Sequence, residues 1–114
     1  MLPPNERLRK RESYQLLFQE GRKVQSRSFL LLWHEGGGAR RAGFTLSRRI
    51  RGAVLRNKAR RRVREAYRTS RAFLPQGIQI VFVIRGEALT IEFWELLEEV
   101  QRALQAVGAR SQVR

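Results

Sequence analysis

Apolar positions recur in two rhythms along this chain of 114 residues. Spacing of three or four residues, the mark of a helix with one buried face, covers three stretches. Over residues 10–20 it brings Tyr14, Leu17 and Phe18 to one side, and Gly21 is placed to stop the helix. Over residues 53–68 it aligns Leu55, Ala59, Val63, Ala66 and Tyr67. A last helix takes Thr90 as its N-cap, buries Phe93, Leu96, Leu97, Val100, Leu104 and Val107, and ends at Gly108.

Alternating or continuous apolar runs mark the strands. Residues 23–25 form a short extended piece and residues 28–34 a better strand, apolar on both faces. Residues 41–47 set Ala42, Phe44 and Leu46 against Gly43, Thr45 and Ser47. The stretch 35–38, Glu-Gly-Gly-Gly, reads as a hairpin turn that would pair these last two strands antiparallel. Residues 78–85 are almost unbroken β-branched and aromatic, the pattern of a strand covered on both faces. The order is α-β-β-β-α-β-α, an α+β fold with a small sheet in one domain spanning residues 1–114. Residues 1–8 and 109–114 are expected to be mobile. Pattern alone leaves strand order and crossover hand open.

Charge sharpens this picture. The chain carries a formal net charge of +14, which points to nucleic acid or an anionic surface as partner. All ten acids are Glu, with one His and no Cys, so thiolate metal sites and disulfides are excluded. Chemistry by converging carboxylates is disfavoured too, because four of the Glu residues (Glu92, Glu95, Glu98, Glu99) share one helix and the rest are dispersed. No catalytic residue is assigned. No apolar run approaches the roughly 20 residues that span a bilayer, and a cytoplasmic location is expected.

The cations concentrate in residues 48–68, which hold ten Lys/Arg against one acid, Glu65. On the helix, Arg56, Arg60, Arg64 and Arg68 run up a face beside the apolar one, with Asn57 and Arg61 beyond. Like charges four apart repel, and a polyanion relieves that repulsion. Arginine suits the role because its planar fork binds phosphate oxygens bidentately and stacks on bases. A ribosomal or general RNA-binding protein has the same gross features, whereas a membrane-surface helix would need larger apolar residues.

Gly43-Phe44-Thr45-Leu46-Ser47-Arg48-Arg49, then Ala53-Val54-Leu55-Arg56-Asn57-Lys58, Arg60-Arg61 and Arg64-Glu65-Ala66-Tyr67-Arg68, resembles the signature of the bacterial ribonuclease P protein subunit family. Arg7-Leu8 with Tyr14, Phe18 and Gly21 resembles that family's first helix. The resemblance implies a four-stranded sheet with three helices and a left-handed βαβ crossover, against the usual rule. It implies a subunit that assists a catalytic RNA in removing the 5′ leader of precursor tRNA, one protein per RNA, with Mg2+ bound mainly by the RNA and no metal site on the protein.

The family's RNA-contacting role carries over to Arg48, Arg49, Arg56, Asn57, Lys58, Arg60, Arg61, Arg64 and Arg68. Tyr14 and Phe18, which spacing alone would make core, become lining of a leader-binding cleft, with Trp33 and Phe44 on the same surface. Two positions depart from the pattern: Lys58 stands where the core motif has a third guanidinium-type residue, and Arg51-Gly52 replaces a Gly-then-polar pair.

Overall fold

A computed structural model describes residues 2–111. Helix α1 (Arg11–Glu20) is followed by strands β1 (Arg22–Gln25), β2 (Phe29–Glu35) and β3 (Arg41–Leu46), then α2 (Ala53–Ser70) and β4 (Ile78–Ile84). A single turn α3 (Glu87–Thr90) precedes the closing helix α4 (Phe93–Arg110). The four strands form one sheet in the order β1-β2-β4-β3. β1 and β2 are antiparallel neighbours, β2 and β4 are antiparallel, and β3 runs parallel to β4 with Phe44 opposite Phe82. The β3–α2–β4 crossover is therefore formed, and α2 is its helix.

This order corrects the expected hairpin between residues 28–34 and 41–47, because β4 lies between those strands. The glycine turn serves a different purpose: the amides of Gly36 and Gly37 both donate to the Gly77 carbonyl at 2.9 Å, so the turn ties the end of β2 to the start of β4. β4, apolar on both faces, is covered by taking the centre of the sheet. The hairpin lies instead between β1 and β2, where the Ser26 amide donates to the Phe29 carbonyl at 2.9 Å. The Glu99 carboxylate secures that turn to α4, accepting from the Ser28 amide at 3.0 Å and the Ser28 hydroxyl at 2.8 Å, and from the Ser26 hydroxyl.

Alternation along the strands divides the core between the two faces of the sheet. Phe29, Leu31 and Trp33 of β2, Ile78, Ile80, Phe82 and Ile84 of β4, and Ala42 of β3 pack on α2 and α4 through Ala59, Val63, Ala66, Tyr67, Leu96, Val100, Leu104 and Val107. The opposite face is covered more thinly, by Leu8 and by Leu17 of α1, which meet Leu32 and Val81, with Tyr14 half-buried beside them.

Several expected boundaries shift. Over residues 2–8 the lead-in is not loose: a short 3-10 turn, Pro4–Glu6, is held with Leu2 and Leu8 buried, and Arg7 bridges to Ala42 at the edge of β3; residue 1 lies outside the described residues. Thr90 ends α3 rather than capping the last helix, whose N-cap is Glu92. That helix runs through Gly108 to Arg110, so Ala109 and Arg110 are helical; residues 112–114 of the expected mobile tail lie outside the described residues. Leu55, expected on the apolar face of α2, is 47% exposed, and its neighbour Val54 is 81% exposed. Both precede the first turn of α2 that reaches the sheet.

Candidate nucleic-acid interface

The N-terminus of α2 is built on Gly52, whose φ of 87° is one a side chain rarely adopts. A glycine at this position accordingly suits the observed backbone. Immediately before it, Arg48, Arg49 and Arg51 are all exposed, and no acidic residue occupies the first turn. The helix N-terminus thus presents positive charge together with its own positive dipole end.

The cations of α2 divide into four groups by what their guanidiniums touch. Arg56 is half-buried and turns back on the preceding loop, donating to the Ile50 carbonyl at 2.9 Å and to Ser47 at 3.4 Å. Arg62 braces the other flank, donating to the carbonyls of Ala88 at 2.8 Å and of Ile91. Arg68 pairs with Glu65, Nε to Oε2 at 3.0 Å, and this pair holds the exposed Glu65 carboxyl below its ordinary range. Asn57, Lys58 and Arg61 are exposed, while Arg60 and Arg64 are half-buried, with Arg60 in a long 3.4 Å contact to Asn57 Oδ1. The expected ridge is therefore not uniform: Arg56 shapes the loop, Arg68 is neutralised by its neighbour, and Asn57, Lys58, Arg60, Arg61 and Arg64 stay available.

Arg60 and Arg64 face a cleft of about 340 Å³ shared with Tyr14, Phe44, Ala42, Gly43, Leu2 and the stretch Arg7-Leu8-Arg9. Tyr14 reaches it from α1 and is fixed there, its hydroxyl donating to the Leu8 carbonyl at 3.1 Å. Burial holds the Tyr14 phenol above its ordinary range, moderated by a hydrogen bond with the Phe44 backbone and by the Arg60 charge. Phe44 packs flat on Phe82 (centroids 5.4 Å apart, 5° between planes) and edge-on to Tyr67, so it is a wall of the cleft rather than a free ring. Among the described residues no carboxylate lines this space.

Of the four expected aromatic residues, Tyr14 and Phe44 meet here. Phe18 lies one turn further along α1, outside the cleft lining, with its side chain 52% exposed. Trp33 is a correction: its alternation partner positions point to the α2 side of the sheet, it is fully buried, and the Arg22 guanidinium covers its ring at 5.0 Å. It cannot offer a face to a base. The sequence reading also missed Arg7, Arg9 and Glu6, because it treated the lead-in as loose. Glu6 is buried and binds Arg40 at 3.1 Å and Arg71 at 3.4 Å, linking the lead-in to the loop before β3 and the end of α2. A single alternating triplet, Arg7-Leu8-Arg9, was the one signal for an edge contact, and it is too short to read.

The sequence profile described as Ribonuclease P matches residues 2–108. The chain belongs to the ribonuclease P protein family. Similar proteins described as ribonuclease P protein component include one from Symbiobacterium thermophilum, 36% identical over 104 residues covering 90% of each chain. Another, from Brevibacillus brevis, is 38% identical over 103 residues covering 85% of this chain and 82% of its own. The solved ribonuclease P protein of Thermotoga maritima superposes with a TM-score of 0.78 at 32% identity, covering 89% of this chain and 96% of its own. The Staphylococcus aureus ribonuclease P protein, at 22% identity and a TM-score of 0.74, shares the fold. Membership decides between the two RNA-binding readings left open by charge: this is a ribonuclease P subunit acting in tRNA 5′ maturation, not a general RNA-packaging protein. Among the described residues no helix is long and apolar enough to cross a membrane.

Proposed function

We propose that the protein divides its RNA contacts between two surfaces. The exposed cations Arg48, Arg49, Lys58 and Arg61, with Asn57, engage the catalytic RNA, and the cleft between α1, the β3 edge and α2 receives the single-stranded 5′ leader of precursor tRNA. The observation that carries this reading is the junction of Tyr14 with Arg60 and Arg64 in a concavity free of carboxylates, which offers an aromatic wall and phosphate-binding groups together. Phe18, exposed beside it, is suited to stack on an unpaired base for about 1–3 kcal/mol.

The bond cleavage belongs to the RNA. Mg2+ is assigned to the catalytic RNA; among the described residues no three His, Asp, Glu or Cys side chains gather to hold a metal ion. The protein's part is to offset phosphate repulsion between two RNAs and to add contacts that only a leader-bearing substrate can use. One protein per RNA, in the cytoplasm, completes the reading.

Reconstitution with a bacterial catalytic RNA at low magnesium tests it: the protein should stimulate cleavage of a precursor tRNA and lower its dissociation constant more for a long leader than for none. Stimulation independent of leader length would refute the cleft assignment.

A further inference from the structure

The cleft beside Tyr14 has basic walls from opposite ends of the fold. Arg60 and Arg64 form one, on α2; Arg7 and Arg9 of the lead-in form the other. The lead-in is tied down along its length. Leu2 and Leu8 are buried, the Leu8 amide donates to the Ala42 carbonyl at 3.0 Å, Arg41 reaches the Asn5 carbonyl at 3.2 Å, and Glu6 holds Arg40 and Arg71. A segment anchored in this way holds the backbone of its arginines at a fixed place relative to α2.

The four guanidiniums are not equally engaged. Arg7 Nε donates to the Leu2 carbonyl at 3.0 Å, which makes Arg7 part of the lead-in's own architecture. Arg60 has its long contact to Asn57. Arg9, exposed, and Arg64, half-buried, have no hydrogen-bond or ion-pair partner among the described residues. Unpaired cations around one concavity repel each other and gain from a shared anion. A space of about 340 Å³ takes a single nucleotide-sized group and not a duplex.

We propose that the lead-in is the second jaw of a clamp on the single-stranded leader, in which Arg9 and Arg64 hold one leader phosphodiester from opposite sides as the strand crosses the open edge of β3. This rests on the cleft being the leader's path. The catalytic RNA is the other source of phosphates, but the exposed cations at and before the first turns of α2 lie outside the cleft lining, and a concavity of this size suits an unpaired strand better than a duplex.

The test uses the holoenzyme, reconstituted with a bacterial catalytic RNA, and precursor tRNA carrying a long leader or none. Arg9→Ala should weaken binding of the long-leader precursor about tenfold, as expected for one charge-assisted contact, and leave leaderless tRNA and catalytic-RNA binding unchanged. It should also flatten the dependence of log affinity on log salt by about 0.7, the value for one single-strand phosphate. A neutral methylphosphonate at one leader linkage should weaken binding to the native holoenzyme, and once that linkage is neutral Arg9→Ala should cause no further loss. The clamp is wrong if Arg9→Ala weakens leaderless tRNA or the catalytic RNA equally, or if its effect adds to that of every methylphosphonate along the leader. Leader-length independence in the native holoenzyme would overturn the cleft reading itself.

Discussion

The ring of Tyr14 lies so close over Gly43 that a Cβ at residue 43 would sit 2.4 Å from the phenolic oxygen. Since that oxygen is held by the Leu8 carbonyl at 3.1 Å, the ring cannot move aside without breaking that hydrogen bond. Gly43→Ala should therefore cost about 1–3 kcal/mol of stability, the usual range for overpacking. The same substitution should cost much less in a Tyr14→Ala background, a coupling that denaturant titration of the four proteins would measure. Additive losses would show that the contact is not what demands glycine.

Arg56 and the pair Lys58 and Arg61 make opposite predictions although all three lie in the same motif. Arg56 donates to two loop carbonyls, so Arg56→Ala should cost about 0.5–1.5 kcal/mol of stability for each net hydrogen bond, read as a lower urea midpoint, and should lower RNA affinity as well. Lys58→Ala with Arg61→Ala should leave the midpoint in place and flatten the salt dependence of catalytic-RNA binding by up to about two units. Parallel melts and filter-binding titrations distinguish the two.

Among the described residues Glu6 is the one buried acid, and it serves two arginines at once. Glu6→Gln keeps the shape but removes the charge that offsets Arg40 and Arg71. A loss of about 1.5–3 kcal/mol is expected for charged hydrogen bonds of this kind, read as a lower denaturant midpoint at unchanged slope. An unchanged midpoint would mean that the lead-in is held without help from the Glu6 charge.

Tyr67 is fully buried and its hydroxyl has no hydrogen-bond partner among the described residues. Burial pushes its pKa well above the ordinary phenol value, so the folded protein holds this proton more tightly than the unfolded chain. Its contribution to stability is complete below about pH 10, where the unfolded phenol ionises, and drains away as pH rises beyond that. Tyr67→Phe should thus cost little at neutral pH and make stability above pH 10 fall less steeply. Urea melts across that range provide the check.

Where a pattern is continuous, the sequence reveals the element. The runs of β4, α2 and α4 each carry enough apolar residues at one spacing to be read directly, and Gly21 ends α1 where expected. Partner choice is another matter. The alternation in β2 and β3 says which faces are apolar but not which neighbour will cover them, and a glycine turn between two strands is compatible with a hairpin that β4 displaces. The same gap affected Trp33: its type suits a stacking platform, but its place in the alternation with Phe29 and Leu31 assigns it to the core. Within the candidate site, composition could not distinguish Arg56, bent onto a loop, from Arg64, whose guanidinium has no partner among the described residues. Arg9 lay in a segment whose fixed position depends on Leu2, Glu6 and Leu8 finding distant contacts, which no local pattern announces.

The central placement of β4 bears on how the chain comes off the ribosome. Apart from the single bridge to Arg7, β3 has only β4 to pair with, and β4 is synthesised after the whole of α2. Until Ile84 has left the exit tunnel, neither β2 nor β3 has its inner neighbour and the arginine-bearing helix has no sheet to lie on. A truncated translation product ending before β4 therefore lacks the sheet on which α2 and its cations are mounted.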